Sequence, residues 1–104
     1  MNNKNIMDIT ANVKQIEGLK SKILSDIAVV FEIMAEGSVE KREIDLKFAE
    51  IIMNSYILAG KLGFSYDEIL ENIFSKLKLE ILSRESVSDY NELSDWLRNR
   101  ASKN

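Results

Sequence analysis

Apolar residues recur at intervals of three and four along almost the whole chain, and apolar and polar positions nowhere alternate strictly. That period belongs to helices and not to half-buried strands. Glycines and small polar residues divide the pattern into segments. Val13, Ile16 and Leu19 share a face in a first stretch that Thr10 can cap. From about Gly18 to Ala35 one face carries Leu19, Ile23, Ile27, Val30, Phe31 and Met34. Gly18 either sits inside a single helix or separates two, and the pattern allows both. Gly37 suits a left-handed helix end, and Ser38 can open the next helix.

The segment Val39 to Leu62 carries a stripe of Ile44, Phe48, Ile51, Ile52, Ser55, Leu58, Ala59 and Leu62. Leu46, Met53, Tyr56 and Ile57 widen the apolar surface on both sides. The polar positions are mainly Glu43, Lys47, Glu50, Asn54 and Lys61. A helix apolar around most of its circumference has to be covered on several sides. The expectation is a central helix, enclosed in a monomeric bundle or between two copies. A few short helices can hardly wrap it, so a homodimer through the helix around Phe48–Leu62 is favoured.

Gly63 ends that helix, and Ser65 with Glu68 forms a capping box for the next. Ile69, Leu70, Ile73, Phe74, Leu77 and Ile81 give this helix its apolar face. The pattern breaks around Ser86 to Asp89. Asp89 with Glu92 then opens a short helix whose Tyr90, Leu93, Trp96 and Leu97 can pack back. The expected fold is all-α, a bundle of four to five helices.

Composition narrows the chemistry. The 104 residues carry a net charge of −3, with basic and acidic side chains interspersed. That mixture offers no footprint for nucleic acid and no anchor for a membrane surface. The longest uncharged run, Ile51 to Gly60, is too short to span a bilayer. Met1 to Asp8 lacks the apolar stretch of a signal peptide, so a cytoplasmic location is the default. A single domain over residues 1–104 is expected, with 1–8 and 98–104 frayed. Cysteine, histidine and proline are absent. Thiolate nucleophiles, Cys/His zinc sites and imidazole bases are thereby excluded. Any reaction must run on carboxylates, lysines, hydroxyls or a hard cation held by oxygen.

Carboxylates on the second and third segments are the best chemical candidates: Asp26, Glu32, Glu36, Glu43 and Glu50. On antiparallel helices some would face one another, as in bundles that hold divalent cations. Glu32, Glu36 and Glu43 fit an ordinary solvated face. Asp26, Glu50 and Asn54 stand out because apolar residues flank them. Lys76, Lys78 and Arg84 suggest a phosphate site, but Glu71 and Glu80 on the same segment make ion pairs the simpler reading. Trp96 can stack on a base, or more commonly anchor its helix.

The stretch from Phe48 to Leu79, FAEIIMNSYILAGKLGFSYDEILENIFSKLKL, resembles the third and fourth helices of MazG-type nucleotide pyrophosphohydrolases. The resemblance rests on Ala49-Glu50 before an apolar run, the Leu-Ala and Leu-Gly pairs between Leu58 and Gly63, and the acidic cap before a lysine-bearing helix. The opening from Met7 to Phe31 is similar to short MazG-like proteins of Gram-positive bacteria. Together the likeness covers about residues 7 to 97. It implies an all-α bundle that dimerises through its long helices. It also implies cleavage of nucleoside triphosphates to monophosphate and pyrophosphate, with Mg²⁺ held by an E-x-x-E and a later E-x-x-D motif.

Carried over residue by residue, the resemblance is incomplete. Lys47 stands where the second motif needs its first acid, and Glu50 where it needs Asp. Asp26 falls near the first motif, with Val29 at the partner position. Asp26 and Glu50 are thus the metal ligands that the resemblance leaves. Three functions follow as expectations: a MazG-like relative with degenerate motifs and weak or no hydrolase activity, an active Mg²⁺-dependent pyrophosphohydrolase helped by Glu32 or Glu36, and a non-catalytic module that pairs with a partner or senses a nucleotide.

Overall fold

The computed structural model describes residues 12–37, 41–83 and 88–102. Every regular element among them is a helix: α1 Val13–Glu36, α2 Lys41–Lys61, α3 Tyr66–Ser83 and α4 Ser88–Ser102. The all-α expectation is met. The chain divides into two compact units, Met1–Tyr66 and Asp67–Asn104.

α1 runs unbroken through Gly18, which settles the question of one helix or two. A Cβ at Gly18 would meet nothing within 4 Å, so no close packing requires the glycine. Its intrinsic cost to a helix is about 1 kcal/mol relative to alanine, which a well-packed helix tolerates. Gly37 closes α1 with φ 81°, donating its N–H to the Met34 carbonyl at 3.3 Å. Thr10 and Ser38, expected as caps, lie outside the described residues.

The end of α2 is more elaborate. Gly63 has φ 98° and donates to the Gly60 carbonyl at 3.0 Å, while Phe64 donates to Ala59 at 3.0 Å. The first bond satisfies the Gly60 carbonyl at the helix end, the second joins Leu62 in donating to Ala59, and the turn needs a residue at ease with positive φ. Tyr66 then folds over the last turn of α2. Its ring would stand 3.2 Å from a Cβ at Gly60, and it meets Tyr56 edge-on at 5.8 Å.

α1 and α2 pair antiparallel. Lys22 reaches Glu50, and Asp26, one turn later on α1, reaches Lys47, one turn earlier on α2. On α1 the face turned inward is Ile16, Leu19, Ile23, Asp26, Val30 and Ile33, spaced by threes and fours and all buried or half-buried. On α2 the corresponding covered stripe is Ile44, Lys47, Ile51, Asn54, Leu58 and Lys61. Apolar and polar residues alternate along it, and Asn54 is its one buried member.

This corrects the stripes expected from hydrophobicity alone. Phe31 and Met34 on α1 are exposed, as are Phe48 and Ile52 on α2 and Leu62 just past its end. Met53 and Ile57 are also exposed, and Tyr56 is half-buried. Within the Met1–Tyr66 unit the described residues do not enclose α2. The physical reason is that α1 covers only one face of α2, and that face is the one carrying the partners of Asp26.

In the second unit Leu77 and Ser94 are buried. The Arg98 guanidinium lies 4.8 Å over the Phe74 ring and its Nε donates to Ser94 Oγ at 3.4 Å. Tyr90 lines a shallow groove with Ile73, Lys76, Leu77 and Glu80. α4 begins at Ser88, so Asp89 sits in its first turn instead of capping it, where its charge still favours the positive helix end. The helix continues to Ser102 through residues expected to fray.

Val30 is the most completely buried apolar side chain, 2% exposed. Val30→Ala is expected to lower unfolding free energy by about 2 kcal/mol, from lost transfer energy plus a residual cavity. Exposed Glu32→Ala, two residues on, should stay within about 0.5 kcal/mol. Urea midpoints of the two variants check the contrast.

Candidate functional site

Asp26 lies in the middle of the inward face of α1, between the Ile23 and Val30 layers, and is 2% exposed. A carboxylate in that position is costly unless its charge is matched. Both of its oxygens are met. Lys47 Nζ donates to Oδ1 at 3.2 Å, from α2, and Lys22 Nζ to Oδ2 at 3.5 Å, from one turn back on α1. Glu50 completes the arrangement. Its Oε1 accepts from Lys22 at 3.3 Å and lies 3.7 Å from Lys47 Nζ. The four side chains form a closed ring, Asp26–Lys22–Glu50–Lys47, in which positive and negative charges alternate and cancel.

Local sequence places all four. Lys22 and Asp26 are four apart on α1, and Lys47 and Glu50 three apart on α2, the spacings at which helical side chains meet. Antiparallel packing then brings one pair onto the other. Asn54, one turn beyond Glu50 on the same stripe, is buried as well. No buried side-chain nitrogen or oxygen among the described residues lacks a hydrogen-bond partner.

The electrostatics follow from this geometry. Burial alone pushes the Asp26 carboxyl upward, but the hydrogen bond from Lys47 and the charges of Lys22 and Lys47 outweigh it and hold it below its ordinary 3.8. The hydrogen bond to Glu50, followed by the charges of Asp26 and Glu50, raises the Lys22 ammonium above its ordinary 10.5.

Asp26 and Glu50, singled out by sequence, are thus brought together, but by lysines. Glu32, Glu36 and Glu43 are exposed, the solvated-face reading. Among the described residues no group of three or more acids could hold a metal ion. Lys76 and Lys78 are exposed, and Arg84 lies outside the described residues. Trp96 is half exposed, with the Arg100 guanidinium 5.2 Å above its ring, and so is not a buried anchor. Lys22 was missed in the sequence. Its signal was a base four residues before an acid that is flanked by isoleucine and valine layers.

No helix among the described residues is long and apolar enough to cross a membrane. The structure is that of an all-α helical protein in which the one buried carboxylate among the described residues is neutralised within an antiparallel helix pair. The chain belongs to the MazG-like family, whose model matches residues 9–93. Its fold is accordingly related to that of nucleoside triphosphate pyrophosphohydrolases. Comparisons with curated proteins and with solved structures found no match.

The two displaced ionisations set a pH window. Asp26 titrates lower folded than unfolded, so its contribution is complete above the unfolded carboxylate value and disappears as pH falls through the folded one. Lys22 titrates higher folded, so its contribution is complete below 10.5 and disappears as pH rises through the folded value. Wild-type stability is expected to decline on acidification below about pH 4. Asp26→Asn should be less stable at neutrality and show a shallower acid decline, read from urea midpoints across pH.

Proposed function

We propose that this chain is a MazG-like relative of the nucleoside triphosphate pyrophosphohydrolases with degenerate metal-binding motifs, acting as a non-catalytic module with weak or no hydrolase activity. The observation that supports this reading is the closed ring. A Mg²⁺ site that works on phosphates needs carboxylate oxygens free to take the ion, with enough negative charge to hold it. Asp26 is saturated by two ammonium groups, and Glu50 shares the same two. The residues present do not fit the ion. The rearranged-site alternative loses its helpers too, because Glu32 and Glu36 face solvent. Nucleotide sensing without turnover remains compatible with this reading, as does a cytoplasmic setting.

Purified protein is expected to release little or no pyrophosphate from a panel of nucleoside triphosphates and deoxynucleoside triphosphates with Mg²⁺. Robust turnover abolished by Glu50→Gln would overturn the non-catalytic reading. A melting temperature raised by nucleotide without turnover would identify the module as a sensor, since a ligand selective for the folded state must stabilise it.

The partner we propose is a second copy of the chain, seated on the outer stripe of α2. Phe48 and Ile52 lie along that stripe and Leu62 just past its end, all exposed, with Met53 beside them at 53%. Small Ser55 and Ala59 lie between them and would let a facing helix approach. Light scattering should report a dimer at micromolar concentration, and Ile52→Glu should shift it to monomer by placing an unpaired charge in the interface. A wild-type monomer throughout that range would count against the dimer.

A further inference from the structure

Each ammonium of the ring touches both carboxylates. Lys22 joins Asp26 Oδ2 to Glu50 Oε1, and Lys47 joins Asp26 Oδ1 to the same Glu50 oxygen. That bridging of two carboxylates on facing helices is the part a divalent cation plays in a carboxylate bundle. Two ammonium groups also carry the charge of one such ion. A cation entering beside them would meet two like charges within a few ångströms, in a seam where Asp26 is almost wholly removed from water.

We infer that Lys22 and Lys47 are resident counter-cations of the α1–α2 seam, standing in for a divalent cation, and that removing either ammonium opens Asp26 and Glu50 to a hard divalent ion. The inference rests on the non-catalytic reading above and deepens it. It makes two claims about the chain. The native seam pairs without metal, so neither chelator nor divalent salt alters its stability. One carboxylate from each helix nevertheless already meets the same two ammonium groups, so the pair can face a cation that replaces one of them. Mg²⁺ and Mn²⁺ can be held through one or two carboxylates with water filling the other positions.

The experiment uses full-length wild type, Lys47→Glu and Lys22→Gln, with Mn²⁺ as the probe. Bound Mn²⁺ is counted from loss of the free-ion paramagnetic resonance signal, and folding is followed by circular dichroism. Wild type should show no stoichiometric uptake and an unchanged melting temperature in EDTA or Mn²⁺. Lys47→Glu should be destabilised in EDTA, bind one Mn²⁺ per chain at least about tenfold more tightly than wild type, and recover melting temperature as Mn²⁺ is added. Lys22 is half exposed, so Lys22→Gln leaves the apolar layers untouched and should fold while gaining weaker Mn²⁺ uptake.

Folded Lys22→Gln that takes up no more Mn²⁺ than wild type overturns the inference, whether or not Lys47→Glu folds. That result leaves the non-catalytic reading standing, because pyrophosphate release tests it separately. Wild-type uptake of one Mn²⁺ that vanishes in Asp26→Asn overturns the inference and removes the support for the non-catalytic reading with it.

Discussion

Placing a carboxylate where a heptad of isoleucine and valine calls for another apolar residue constrains everything around it. Asp26 cannot stay charged in that layer without cations on hand, and only a particular rotation and sliding of α2 presents Lys47 to it. Charge pairing thus chooses which side of α2 faces α1. The apolar layers then follow from the register, with Val30 and Ile16 covered on α1 and Ile44 and Leu58 on the facing stripe. A pairing driven by hydrophobic area alone would have turned Phe48 and Ile52 inward.

That choice also explains why so much apolar surface faces outward. α2 has apolar residues on nearly every side, and within its unit α1 covers only one of them. Turning the polar stripe of Lys47, Glu50 and Asn54 inward leaves the oilier stripe outside. The hairpin is in this sense inverted. Its buried seam is a mixture of salt bridges and aliphatic layers, while its outer face resembles an ordinary core.

The helices themselves were legible in the sequence because three-and-four spacing, Gly37 and Gly63 report local geometry directly. Their orientation was not. A helix with apolar residues around its circumference gives no preferred face, so periodicity could not separate Phe48–Ile52 from Ile44–Ile51. The isolated polar residues carried that information. Asp26, Glu50 and Asn54 drew attention as acids and an amide among apolar neighbours, and the structure covers Asp26 and Asn54 most of all. Lys22 was overlooked because a lysine on a helix is ordinarily solvated, and its importance depends on a residue 28 positions away. Family membership rests on a match across residues 9–93, whereas chemistry rests on a handful of side chains, so the first does not carry the second.

Within the ring, pairing moves the ionisations of Asp26 and Lys22 apart, one down and the other up. Histidine and cysteine are missing from the whole chain. No side chain with an ordinary ionisation near neutrality is left to respond to cellular acidity. Around neutral pH the charges that clasp the helix pair are therefore beyond the reach of the imidazole and thiol chemistry by which many small domains are switched.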